Sequence, residues 1–114
     1  MTQHGSLTLE RWSRFTIDQR VLMIGNELQR GTSLLDPADA ELRRRSYERV
    51  LRLTDLTVAT RPRRAFLREL LRWRDLIAEL YIAPDPRPEA HREALRALLH
   101  LRPEAHRQIP HILP

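Results

Sequence analysis

Apolar residues recur along this chain at steps of three and four, the repeat of helices that each bury one face. Ile17, Val21, Ile24 and Leu28 form the first such stripe, and Thr16 with Gln19 makes a capping-box pattern in front of it. A first helix is therefore expected from residue 16 to Gly31, which stands where a helix closes on a left-handed residue. Ahead of it, residues 8–12 predict one short turn that folds Trp12 and Phe15 over an end of the bundle.

Asp36 as N-cap and Pro37 in the first turn open a second helix that runs to about residue 59. Asp39 and Glu41 lie where the helix dipole favours negative charge. Tyr47, Val50, Leu51, Thr54 and Val58 form its expected inner face. Glu41, Arg44, Arg45, Glu48, Arg49 and Arg52 lie opposite, spaced for ion pairs, as a solvated face.

A third helix spans residues 62–82, with Phe66, Leu70, Trp73, Ile77 and Leu80 on its stripe. Leu67, Leu71, Ala78 and Tyr81 widen that stripe past half the circumference, so this helix is central in the fold or faces a second subunit. The link at residues 60–61 is short enough to force an antiparallel hairpin with arms of about 30 Å. Pro84, Pro86 and Pro88 end the third helix and start a fourth, whose buried side is Leu95, Leu98, Leu99 and Leu101. The cassette Arg-Pro-Glu-Ala-His-Arg at 87–92 returns at 102–107, a local duplication in which each copy suits a helix start. Residues 109–114 have no regular pattern and read as a loose tail. The expectation is an all-α chain, one domain over residues 1–114, built as an antiparallel bundle of about four main helices with short terminal turns.

Composition narrows the function more than the fold. Of the 114 residues, 41 % are hydrophobic and 5 % aromatic, enough for a modest core packed mainly by Leu, Ile, Val and Ala. So short a domain has little spare stability, which makes self-association an expected remedy. The absence of Cys excludes disulfides, thiolate zinc sites and a thiol nucleophile, and suits a cytoplasmic location. No apolar run is long enough to span a membrane, and the N-terminal residues lack the pattern of a secretory signal.

All 20 basic side chains are Arg. A GC-rich genome favours that bias, and Arg also offers a planar fork for carboxylate or phosphate that Lys lacks. The formal charge of +5 is uneven: residues 1–60 carry nine Arg and eight acids, residues 61–114 eleven Arg and seven acids. Residues 61–74 alone hold six Arg and one Glu. Arg64, Arg68 and Arg72 recur every fourth residue on one side of the third helix. Together with Arg61 they form the candidate phosphate-binding patch. The end of the second helix, Asp55 and Glu69 are the features able to balance that charge, and no aromatic set accompanies it for stacking bases.

Catalytic signatures are lacking. The three Gly are scattered, no Ser sits in a nucleophile elbow, and the five His at 4, 91, 100, 106 and 111 form no metal-binding spacing. Four of them follow an Arg with three residues between, a spacing shorter than the Arg–His pattern of helical toxins related to HEPN domains. No catalytic residue, metal or cofactor is therefore expected. Glu69 falls inside the apolar arc of the third helix and Arg43 on the inner side of the second, while Arg20 edges the first stripe. A charge on a packed face needs a partner, so Glu69 is expected to form a buried ion pair with Arg20 or Arg43.

The stretch Tyr47-Glu48-Arg49-Val50-Leu51-Arg52-Leu53-Thr54-Asp55-Leu56-Thr57, followed by Arg68-Glu69-Leu70-Leu71-Arg72-Trp73-Arg74-Asp75, resembles short bacterial all-helical proteins associated with toxin–antitoxin or nucleotidyltransferase partner systems. The resemblance covers about a third of the chain and implies a helical fold and a bacterial source. It supplies no site residues. The leading functional expectation is a non-enzymatic helical interaction module that self-associates or docks on a protein partner through Leu70, Trp73, Ile77 and Tyr81. The alternative is an RNA- or DNA-binding accessory protein acting through Arg61, Arg64, Arg68 and Arg72.

Overall fold

The computed structural model describes residues 7–102, and these are all helix, turn or loop. The second Pro-Glu cassette, the tail at 109–114 and His4, His106 and His111 lie outside the described residues.

Each helix begins where the sequence supplies a start signal. Thr8 caps a single turn, α1 (Leu9–Trp12), by accepting from the Arg11 N–H at 3.2 Å. The capping box ahead of α2 (Ile17–Arg30) is complete: Thr16 Oγ1 accepts from Gln19 N–H at 3.1 Å, and Gln19 Oε1 accepts from Thr16 N–H at 2.8 Å. Asp36 caps a 3-10 turn, Pro37–Asp39, rather than the α-helix itself, so α3 (Ala40–Ala59) starts a few residues later than the sequence suggests. α4 (Arg64–Ile82) and α5 (Pro88–Leu99) follow, α5 with its proline in the first turn.

Gly31 departs from expectation. Its φ is −64°, right-handed, and the chain runs on from it as a second 3-10 turn, Gly31–Leu34. Space, not backbone conformation, selects glycine here. A Cβ would meet Ser46 Oγ at 3.0 Å and the His91 ring at 3.2 Å. The left-handed residue is instead Arg61, with φ 56°, in the link between α3 and α4.

α3 packs against both α2 and α4, and α5 closes against α2 and α4. Neighbours run antiparallel. Arg20 near the start of α2 reaches Thr60 at the end of α3, and Tyr81 at the end of α4 reaches Glu48 in the first half of α3. One apolar cluster joins the helices, including Trp12, Val21, Ile24, Leu28, Val50, Leu53, Leu70, Ile77, Leu95 and Leu98. Burying each such side chain is worth about 1.5–3 kcal/mol. On α3 the buried stripe is Arg43, Tyr47, Val50, Thr54 and Thr57 with Ser46 and Leu53 beside it, whereas Leu51 and Val58 are only half-buried. The face is rotated from the expected one because small hydroxyls fit against α1 and α2. Thr54 and Thr57 donate to carbonyls one turn back, and Thr57 Oγ1 accepts from the Trp12 indole N–H at 2.9 Å. Trp12 is fully buried and meets Phe15 edge-on, closing that end as the sequence suggests. Among the described residues no helix is long and apolar enough to cross a membrane.

Candidate nucleic-acid interface

Antiparallel packing gathers four helix ends at one pole of the bundle: the starts of α2 and α4 and the ends of α3 and α5. The Arg-rich link lies there. Arg61, Arg63, Arg64, Arg68 and Arg72 are all exposed. Two other charges of the cluster are spent on neighbours. Asp55 grips Arg74 with both oxygens, at 2.6 and 3.2 Å, which also raises the Arg74 pKa. Glu69 approaches Arg72 at 3.5 Å. Among the described residues, Arg61, Arg63, Arg64 and Arg68 form no salt bridge.

These four Arg surround a helix start that lacks the usual compensation. No side chain caps α4 and its first turn holds no acid. Its free amide groups and the positive end of its dipole therefore add to the Arg charge instead of opposing it. Arg61 stands in a conformation that costs a non-glycine residue about 1–2 kcal/mol. Among the described residues these four Arg have no carboxylate partner, so the pole presents positive charge suited to an extended anion. Phe66 does not add a stacking platform, because Arg102 lies over its ring at 5.9 Å while pairing with Asp18 at 2.7 Å.

The expected ion pair of Glu69 with Arg20 or Arg43 is not formed. Glu69 is exposed, on the flank of the buried stripe of α4, where water and Arg72 solvate it. Arg20 and Arg43 are buried, but each is held by oxygens without formal charge. Arg20 donates to the carbonyls of Trp12 and Ser13 and to Thr60 Oγ1, at 2.9–3.2 Å. Burial lowers its pKa. Arg43 donates to the carbonyls of Leu34 and Asp36 at 3.0 and 3.1 Å. The buried carboxylate is Glu27, which pairs with Arg49 and approaches Arg30 at 3.4 Å. Its position, three residues after Ile24 and next to Leu28, was the available signal.

Three of the four expected interface anchors are also placed differently. Leu70 and Ile77 are fully buried and Trp73 is 3 % exposed, because α3 and α5 together cover the wide face of α4 within the same chain. The Trp73 indole N–H donates to the Ala94 carbonyl at 2.7 Å, which fixes that seam. Tyr81 is half-buried, its hydroxyl donating to Glu48 at 3.1 Å. The large apolar residues left outward on α4 are Leu71, Leu76 and Ile82, 42–76 % exposed.

Sequence reasoning missed one further group. His91 is wholly buried, with Nε2–H directed at the Leu28 carbonyl, 3.0 Å away, and Thr32 Oγ1 at 3.3 Å. Nδ1 then accepts from the Tyr47 hydroxyl at 2.8 Å. This tautomer follows from the carbonyl, which only accepts. Burial lowers the His91 pKa against the opposing effect of the Leu28 bond, and burial raises that of Tyr47 to about 12 despite nearby Arg43. The pair is sealed in the core and serves to lock α5 to α2 and α3. Of the Arg–His spacings in the described chain, Arg87 and His91 share no face, since Arg87 precedes the helix and is exposed. Among the described residues no group of three or more His, Asp or Glu is arranged to hold a metal ion. Comparison with known proteins yields no matching family model, no matching curated protein and no matching solved structure.

Proposed function

We propose that this protein is a non-enzymatic, cytoplasmic accessory that binds the phosphate backbone of RNA or DNA through the basic pole, with Arg61, Arg63, Arg64 and Arg68 as the principal contacts and Arg72 beside them. One observation carries this reading: four exposed Arg, without ion pairs among the described residues, surround the uncapped, acid-free start of a 19-residue helix. Guanidinium forks match phosphate oxygens, and unshared charge leaves the binding energy available for an external anion. Without stacking aromatics, recognition reads the backbone and discriminates weakly among sequences. The resemblance of residues 47–57 and 68–75 to short bacterial helical proteins associated with toxin–antitoxin or nucleotidyltransferase partner systems fits such an accessory role. His91 is wholly buried and its ring is bonded to Tyr47 and the Leu28 carbonyl, which favours binding over catalysis.

Fluorescence anisotropy with labelled single-stranded RNA and duplex DNA tests the proposal. The logarithm of affinity should fall with the logarithm of salt with a slope of about 3–4, one counterion per contacting Arg. The double substitution R64Q/R68Q should lower that slope by about two and leave the circular dichroism unchanged. Absence of binding at low salt, or a slope indifferent to these substitutions, overturns the reading.

A second reading keeps the protein-docking expectation with different anchors. A groove of about 490 Å³ runs between α4 and α5, lined in part by Leu76, Ala97 and Leu101, and Leu76 is 42 % exposed there. A homo-oligomer or protein partner would bury these leucines. Light scattering checks it: L76R should lower the measured mass of an oligomer, and a wild-type monomer leaves the self-association branch without support.

A further inference from the structure

The opposite pole of the α3–α4 hairpin holds a cleft of about 370 Å³, within the range of small-molecule sites. The first turns of α3 form one wall, and the last turn of α4 with Ala83 and Pro84 forms the other. Arg43 and Arg44 line it together, and neither forms a salt bridge among the described residues.

Arg43 is the unusual member. It is only 6 % exposed, yet among the described residues no carboxylate pairs with it. A buried cation without a counter-charge is costly, and proteins ordinarily pair or neutralise it. Arg20, the other buried Arg without a carboxylate, shows how a purely structural guanidinium is satisfied: Nε, Nη1 and Nη2 each reach a protein oxygen, and it lines none of the larger clefts. Arg43 differs on both counts. Its Nη1 takes both recorded bonds, to the Leu34 and Asp36 carbonyls, which hold the group in place. Among the described residues Nε and Nη2 have no protein acceptor, and neither is sealed from solvent, on a side chain that lines the cleft.

The remaining walls describe the rest of a ligand. Leu80, Ala83 and Pro84 are apolar, and Arg44 lies over the Tyr81 ring at 5.6 Å, which keeps a second guanidinium at the rim. Glu41 is the only carboxylate on the lining, and its oxygen is directed to Arg45 at 3.5 Å. A prepositioned fork, a second cation and an apolar wall match a carboxylate attached to a compact apolar body. We propose that this cleft is a binding site for a small organic carboxylate, whose oxygens are taken by Arg43 and Arg44 and whose apolar body packs on Leu80 and Pro84. The site is separate from the basic pole and does not depend on nucleic-acid binding.

Benzoate is the probe, with benzyl alcohol as its neutral counterpart and sodium chloride at matched ionic strength as the control. In a 15N NMR titration of the whole chain, benzoate should shift the Arg43 side-chain N–H and the amides of Glu41, Tyr81 and Ala83 saturably, in the millimolar range. Benzyl alcohol should bind at least about tenfold more weakly, the worth of a charge-assisted pair. R44Q should weaken benzoate severalfold, and R43K, which keeps the charge but loses the fork, about tenfold or more. Because R43K alters a buried group, R44Q carries the test if R43K does not fold. Equal shifts with chloride, equal affinity for benzyl alcohol, shifts confined to the Arg61–Arg68 pole, or undiminished affinity in R44Q each overturn the proposal.

Discussion

His91 gives the clearest residue-scale consequence, because a titratable ring is closed into the core without an anionic partner. Its pKa is lowered when folded, chiefly by burial, while the unfolded chain keeps the ordinary value near 6.5. Below that value the unfolded state binds more protons, so stability is complete above it and declines as pH falls toward the folded pKa. The slope contributed by this one ring is at most about 1.4 kcal/mol per pH unit. Urea unfolding at pH 7.5 and 5.5 should show the loss, and H91Q should flatten the difference although it costs stability at both. Arg61 supports a prediction of the opposite sign. Its left-handed φ is strained for any residue with a Cβ, so R61G should stabilise the fold by about 1 kcal/mol in thermal melts. The same change should weaken nucleic-acid binding, since it removes one of the exposed charges. Glu27 carried a positional signal in the sequence, but not its partner. Sequence periodicity marks a buried face by its apolar members, and a carboxylate on the edge of that stripe reads as solvated until the partner, Arg49 from another helix, is in place.

Elements were far more legible than individual polar contacts. The Thr16–Gln19 box, Pro37, Pro88 and the prolines between α4 and α5 act within a few residues of themselves, and local chemistry suffices to read them. What covers a wide apolar face is a tertiary fact. The breadth of the α4 stripe is the same whether α5 or a second subunit lies against it, and Leu70, Trp73 and Ile77 are buried within this one chain, Trp73 against α5. The exposed Arg patch was readable because unpaired charge defaults to solvent. Glycine roles also separate at this scale. At Gly25, inside α2, a Cβ would sit 3.4 Å from Leu99, an ordinary contact, so G25A should stabilise by about 0.5–1 kcal/mol through helix propensity. At Gly31 the methyl would press on Ser46 and His91, so G31A should destabilise by about 1–3 kcal/mol, less any entropic gain. Chemical denaturation of the two variants should move in opposite directions.

Across the whole molecule, the two poles differ because the helices alternate in direction. One pole collects Arg around the start of α4 without an acid in its first turn, and the other places two Arg and apolar walls around a cleft. The α3–α4 hairpin between them is held by Asp55–Arg74 and Glu48–Tyr81. The two tryptophans lie on different seams of this bundle. Trp12 is fixed by Thr57 on the side of α1 and α3, and Trp73 by the Ala94 carbonyl on the side of α4 and α5. Each indole is dry and donates one bond, so the native chain should emit at short wavelength, and single-Trp variants become two independent optical reporters. Coincident emission changes from W12F and W73F during unfolding would mean that the seams open together, whereas an earlier red shift from Trp73 would identify α5 as the first helix to leave.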